Sequence, residues 1–80
     1  MDIQKLVKMA NEIGKFFEAE PDHAAAIEGV TSHIGRFWEP RMRREMLHYV
    51  DQTGGTDLRP LVLEAVQTNK ARLTPKDMPR

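Results

Sequence analysis

Apolar residues recur along the start of the chain at alternating intervals of three and four: Ile3, Leu6, Val7, Ala10, Ile13, Gly14 and Phe17. That spacing lays them on one stripe of an amphipathic helix over residues 2–18. At about 100° per residue, Met9 and Phe16 fall beside the stripe and widen the apolar sector to about half of the circumference, so the helix needs two neighbours. Glu20-Pro21-Asp22 ends it and opens the next, with Asp22 as an N-cap whose carboxylate can accept a bond from a free N–H of the first turn. The second helix, over residues 22–38, carries Ile27, Val30, Ile34, Phe37 and Trp38 on one side, among the small residues Ala24, Ala25, Ala26, Gly29 and Gly35. An interior glycine costs up to about 1 kcal/mol relative to alanine. Gly14, Gly29 and Gly35 therefore mark either close backbone approach between helices or simple tolerance.

A third helix runs from Pro40 to about Gln52 and is stopped by Gly54-Gly55, because glycine takes the left-handed cap conformation easily. Its apolar face is Met42, Met46, Tyr49 and Val50, with Leu47 at the margin. The fourth begins near Thr56-Asp57, where Asp57 can cap and Pro60 can sit in the first turn, and it buries Leu58, Leu61, Val62, Ala65 and Val66. No stretch alternates as a strand would. The pattern predicts an all-α fold, a small bundle of four short helices with a flexible C-terminal tail. Residues 1–68 form the single helical domain. Residues 69–80, with Lys70, Arg72, Lys76, Arg80, Pro75 and Pro79, read as a disordered tail or an arm that orders on a partner.

Composition narrows the function. A chain of 80 residues has room for one small core and hides only about 60% of its unfolded surface, so docking on a partner would help it. It has no cysteine, which removes disulfides and thiolate metal sites and fits a reducing, cytoplasmic setting. No apolar run approaches the length of a signal peptide or membrane span. Twelve basic residues balance twelve acidic ones, which speaks against nucleic-acid or membrane-surface binding as a general role.

Local charge still matters. Phe37-Trp38-Glu39-Pro40-Arg41-Met42-Arg43-Arg44 puts the only tryptophan, a helix-starting proline and three arginines together, with Arg36 just before them. Cations in the first turn oppose the helix dipole, typically by a few tenths of a kcal/mol each. The arrangement suggests one positive patch whose guanidiniums meet something acidic or anionic outside the chain. On a helical wheel Arg41, Arg44, His48 and Asp51 cluster opposite Met42, while Arg43 projects near Leu47 and Val50 inside the apolar sector. Arg43 is then a snorkelling stem, a partner of Glu39 or Glu12, or a fork for a carboxylate or phosphate elsewhere. Phe37 and Trp38 diverge by about 100°, so both are buried only where two surfaces converge. Trp38 is the candidate anchor for a partner, and Phe37 fits the domain's own core better. The candidate partner-binding residues are Arg36, Phe37, Trp38, Pro40, Arg41, Arg43 and Arg44.

No catalytic, cofactor or metal site can be read. His23, His33 and His48 stand ten and fifteen positions apart, which matches no i, i+3 or i+4 ligand pair. Gly54-Gly55 lacks the strand and third glycine of a phosphate or dinucleotide loop. Binding, not catalysis, is the expectation.

Three stretches resemble a known family: residues 6–17 (Leu-Val-Lys-Met-Ala-Asn-Glu-Ile-Gly-Lys-Phe-Phe), residues 33–43 (His-Ile-Gly-Arg-Phe-Trp-Glu-Pro-Arg-Met-Arg), and Gly54-Gly55 followed by Leu58, Pro60, Leu61 and Val62. Together they are similar to the small delta subunit of NAD-dependent, molybdenum- or tungsten-containing formate dehydrogenases. The likeness covers roughly residues 3–66, and the Phe-Trp-Glu-Pro-Arg-Met-Arg segment is its most specific part. It implies a cytoplasmic complex in which other subunits carry the molybdopterin, iron-sulfur and flavin centres. The delta subunit, on that likeness, is not catalytic, holds no cofactor, and supports the assembly, stability or molybdenum-cofactor maturation of the catalytic alpha subunit. The alternative from the residues is a small nucleic-acid binder of helix-turn-helix type, since short helices and clustered arginines occur there too.

Overall fold

Two aspartates and two prolines set where the main helices begin. In the computed structural model, which describes residues 2–76, α1 spans Ile3–Phe17, α2 His23–Phe37, α3 Pro40–Thr53, α4 Pro60–Thr68 and α5 Lys70–Leu73. The Asp2 carboxylate accepts from the Gln4 N–H at 2.9 Å. Asp22 accepts from the N–H groups of Ala24 and Ala25 at 3.1 and 3.4 Å. Pro40 and Pro60 occupy first-turn positions, where a missing N–H costs no bond. Gly54, at φ 80°, closes α3 in the left-handed region and donates its N–H to the Val50 carbonyl at 2.9 Å.

The start of α4 differs from expectation. Asp57 is not its cap; the helix begins at Pro60, with Arg59 ahead of it and no side chain of its own segment capping it. Asn11 of α1 does the work from across the fold. Its Oδ1 accepts from the Arg59 N–H at 2.8 Å and its Nδ2 donates to the Asp57 carbonyl at 3.0 Å.

α2 packs most extensively on α4, and α1 lies against both, with α3 leaning on α1. Leu6, Ala10, Ala26, Val30, Ile34, Trp38, Met42, Met46, Leu47, Val50, Leu58, Leu61, Val62, Ala65 and Val66 form one buried cluster. Two glycines earn their places by close approach. A Cβ on Gly14 would collide with the Val62 methyl, and one on Gly29 with the Phe17 ring. Gly35 is the tolerant case, since an added Cβ would sit 3.9 Å from Leu73.

The apolar sector of α1 is narrower than the wheel suggests. Met9 is 40% and Phe16 74% exposed, because α2 and α4 cover the stripe of Leu6, Ala10 and Gly14 and leave its flank open.

A fifth helix stands where the flexible tail was expected, so the described helices number five rather than four. Leu73 is 2% exposed and Pro75 is buried. Asn69, at the break between α4 and α5, donates to the Thr31 hydroxyl at 3.0 Å, and Thr31 in turn donates to the Ile27 carbonyl at 2.8 Å. Lys70 reaches Asp51 at 3.0 Å, and Arg72 grips Glu28 through two bonds of 2.7 and 2.9 Å. Residues 77–80 of the expected tail lie outside the described residues.

Candidate partner-binding surface

Trp38 and Phe37 exchange the places expected of them. Trp38 is 5% exposed and belongs to the chain's own core, whereas Phe37 is 69% exposed. Trp38 leaves helical geometry as the C-cap of α2, with its N–H on the Ile34 carbonyl at 3.1 Å, and this last step turns the indole inward. Phe37, the last helical residue, packs its ring against His33, ring centroids 4.9 Å apart.

Just beyond them α3 starts in an unusual electrostatic state. Glu39 makes no side-chain cap bond, Pro40 follows it, and the first turn holds no acid. Arg41, Arg43 and Arg44 crowd this positive end, each opposing the dipole by about 0.3–1 kcal/mol. Among the described residues, none of Arg36, Arg41, Arg43 and Arg44 forms an ion pair, unlike Arg59, Lys70 and Arg72, which are held by Glu18, Asp51 and Glu28. The suggested pairing of Arg43 with Glu39 or Glu12 is not formed. Its Nε is buried without an acceptor, which forgoes about 1–3 kcal/mol relative to a paired donor.

The four arginines do not make the single patch expected of them. Arg41 and Arg44 line an outward groove of about 680 Å³ along α3 with His48, Tyr49 and Ile3, confirming the shared face of Arg41, Arg44 and His48. Arg43 lines a separate cleft with Arg72, Thr74 and Lys76. Arg36 lines a recess beside Arg72 and Leu73. The split follows from the helix itself, because Arg43 is rotated by about 200° from Arg41 and 100° from Arg44. Pro40 is exposed at the corner between α2 and α3.

Two of the ion pairs that hold the remaining basic residues, Arg72 with Glu28 and Arg59 with Glu18, shift the titration of their members. The Arg72 fork, joined by the Ser32 hydroxyl, pulls the Glu28 carboxyl down to about 2 from 4.5. Hydrogen bonding to Arg59 lowers Glu18 in the same way, and Glu18 raises Arg59. The sequence offered no signal for Arg72, Thr74 and Lys76 as neighbours of Arg43. They come from a segment whose composition reads as a tail.

No group of three or more His, Asp or Glu side chains able to hold a metal ion occurs among the described residues, and none of the described helices is long and apolar enough to cross a membrane. No curated protein and no solved structure matches the chain. One family does: the pattern of the NADH-dependent formate dehydrogenase delta subunit, FdsD, matches residues 5–66.

Proposed function

We infer the role of this chain from one premise: it belongs to the family of NADH-dependent formate dehydrogenase delta subunits. It is a non-catalytic accessory subunit that docks on the catalytic alpha subunit of that enzyme in the cytoplasm. There it supports the assembly, stability or molybdenum-cofactor maturation of its partner.

The observation that carries this reading is the corner between α2 and α3. Phe37 stands 69% exposed there, shortly before the exposed Pro40 and Arg41, and neither Arg41 nor Arg44, one turn into α3, has an ion pair among the described residues. An aromatic ring beside arginine forks is the combination that most often carries binding energy at protein interfaces. Such a corner suits a partner surface with an apolar recess flanked by carboxylates. Arg36 lies at its edge and Arg43 on the other side of α3, so they contribute less to this contact. Trp38 supports the corner from inside instead of entering the partner.

Co-purification tests it. Phe37→Ala combined with Arg41→Ala and Arg44→Ala should detach the chain from the catalytic subunit while its helical circular dichroism and melting stay nearly unchanged, because Phe37 and Arg41 are exposed and the half-buried Arg44 has no ion pair among the described residues. A complex that survives the triple substitution overturns the assignment of this corner.

A further inference from the structure

The basic surface on the other side of α3 is independent of that docking corner. Arg43 from α3, Arg72 from α5, and Thr74 and Lys76 beyond it line a cleft of about 590 Å³. Among the described residues its lining holds three cations and no carboxylate. Arg72 is already matched by Glu28, whose two bonds hold its guanidinium in place. Arg43 is not matched, and its buried Nε has no acceptor. Lys76 has no ion pair among the described residues either. Thr74 spends its hydroxyl proton on the Lys70 carbonyl at 2.8 Å, so its side chain is wall and not donor. Among the described residues, two positive charges are therefore left uncompensated at one concave place.

We propose that this cleft binds a dianionic phosphate group, either free or at the end of a small phosphorylated molecule. A single carboxylate would satisfy the Arg43 fork or the Lys76 ammonium and leave the other unmet. A tetrahedral dianion meets both, offering two oxygens to a planar guanidinium and a third to a point charge. The volume also lies in the range that accommodates small ligands, so a diphosphate or the phosphate end of a nucleotide fits the same chemistry.

The experiment is a titration of the full 80-residue chain, followed by amide and guanidinium NMR at constant ionic strength, with inorganic phosphate, pyrophosphate, a nucleoside diphosphate and acetate as probes. Saturable shifts centred on Arg43, Arg72 and Lys76 are expected, with pyrophosphate binding more tightly than phosphate and acetate at least tenfold more weakly. Arg43→Gln and Lys76→Gln should each weaken phosphate binding about tenfold or more, while Arg41→Gln, on the outward groove, leaves it unchanged. A nucleoside diphosphate that binds more tightly than pyrophosphate identifies a nucleotide as the source; equal affinity identifies the free anion. Absence of saturable shifts, indifference to both glutamine substitutions, or acetate binding as well as phosphate overturns the proposal. So does phosphate binding seen only in a chain ending at Lys76, because the segment beyond would then be the natural occupant. Co-purification with the catalytic subunit reads the docking corner separately, so either reading can fail without the other.

Discussion

The first turn of α2 and the first turn of α3 face the same physical problem and solve it in opposite ways. At α2, Asp22 accepts from two free N–H groups and places negative charge at the positive end of the dipole. At α3, Glu39 caps nothing with its side chain, and arginines fill the turn. The same division runs through the basic residues. Arg59, Lys70 and Arg72 are each tied to an acid on or at the end of another helix, whereas Arg36, Arg41, Arg43 and Arg44 have no ion pair among the described residues. The tied set fastens α1 to α4, α2 to α5 and α3 to α5. The untied set adds no ion pair among the described residues, and it is divided: Arg36 and Arg41 flank the exposed Phe37 in sequence, whereas Arg43 lines the cleft on the other side of α3. Cations that cost the isolated fold something are the ones available for a partner.

That contrast can be broken most forcefully at the junction itself. Trp38→Ala empties a core site and should lower unfolding free energy by about 3–5 kcal/mol, enough to unfold much of so small a domain. Phe37→Ala, one residue earlier, should stay within about 0.5 kcal/mol of wild type. Urea denaturation of the two variants measures the difference; equal losses would erase the distinction between an inward and an outward aromatic. A middle-sized effect belongs to Asn11, which serves α4 as a cap supplied from α1. Asn11→Ala removes bonds to Arg59 and Asp57 and should cost about 1–3 kcal/mol, with faster hydrogen exchange at the Arg59 amide and the first turn of α4. Loss of protection at α3 instead would place the weak point in the untied region.

The smallest effect sharpens the tied side. The Arg72 fork lowers the Glu28 carboxyl to about 2 in the folded chain, against an ordinary value of 4.5. Between those values the unfolded chain binds more protons than the folded one, so stability rises with pH across that window. The contribution is complete above about pH 4.5 and is lost as the pH falls through about 2. Glu28→Gln should flatten the acid limb of the melting-temperature profile there, and moderate salt should shrink the difference because the pair is exposed. An unchanged acid limb would show that the Glu28–Arg72 fork does not hold α5.

Much of the fold is legible in the residues because its signals are local. Asp2, Asp22, Pro40 and Gly54 bound α1, α2 and α3 within a residue or two, and the three-and-four spacing finds their buried faces. The start of α4 is not legible, since its cap lies 48 residues away on α1. α5 is hidden for another reason. Four residues are too few to show a period, and one buried leucine among lysine, arginine and proline resembles a solvated tail. At the candidate surface the wheel finds the shared face of Arg41, Arg44 and His48, because one helix carries all three. It does not find that Trp38 turns inward. Two adjacent aromatics differ only by a rotation, and which of them meets the core depends on how α2 ends.

Asn11 and Glu18 both wait for the loop ahead of α4: one binds the backbone at residues 57 and 59, the other the Arg59 guanidinium. α1 is consequently fastened by residues that follow it at a distance of 41 to 48 positions. Until residues 57–66 have been made, α1 can pack on α2 and α3 but lacks its tie to the loop ahead of α4 and the cover that Val62 gives to Gly14. A nascent chain halted short of residue 59 should therefore be the form most in need of a chaperone, and one extended past α4 should not.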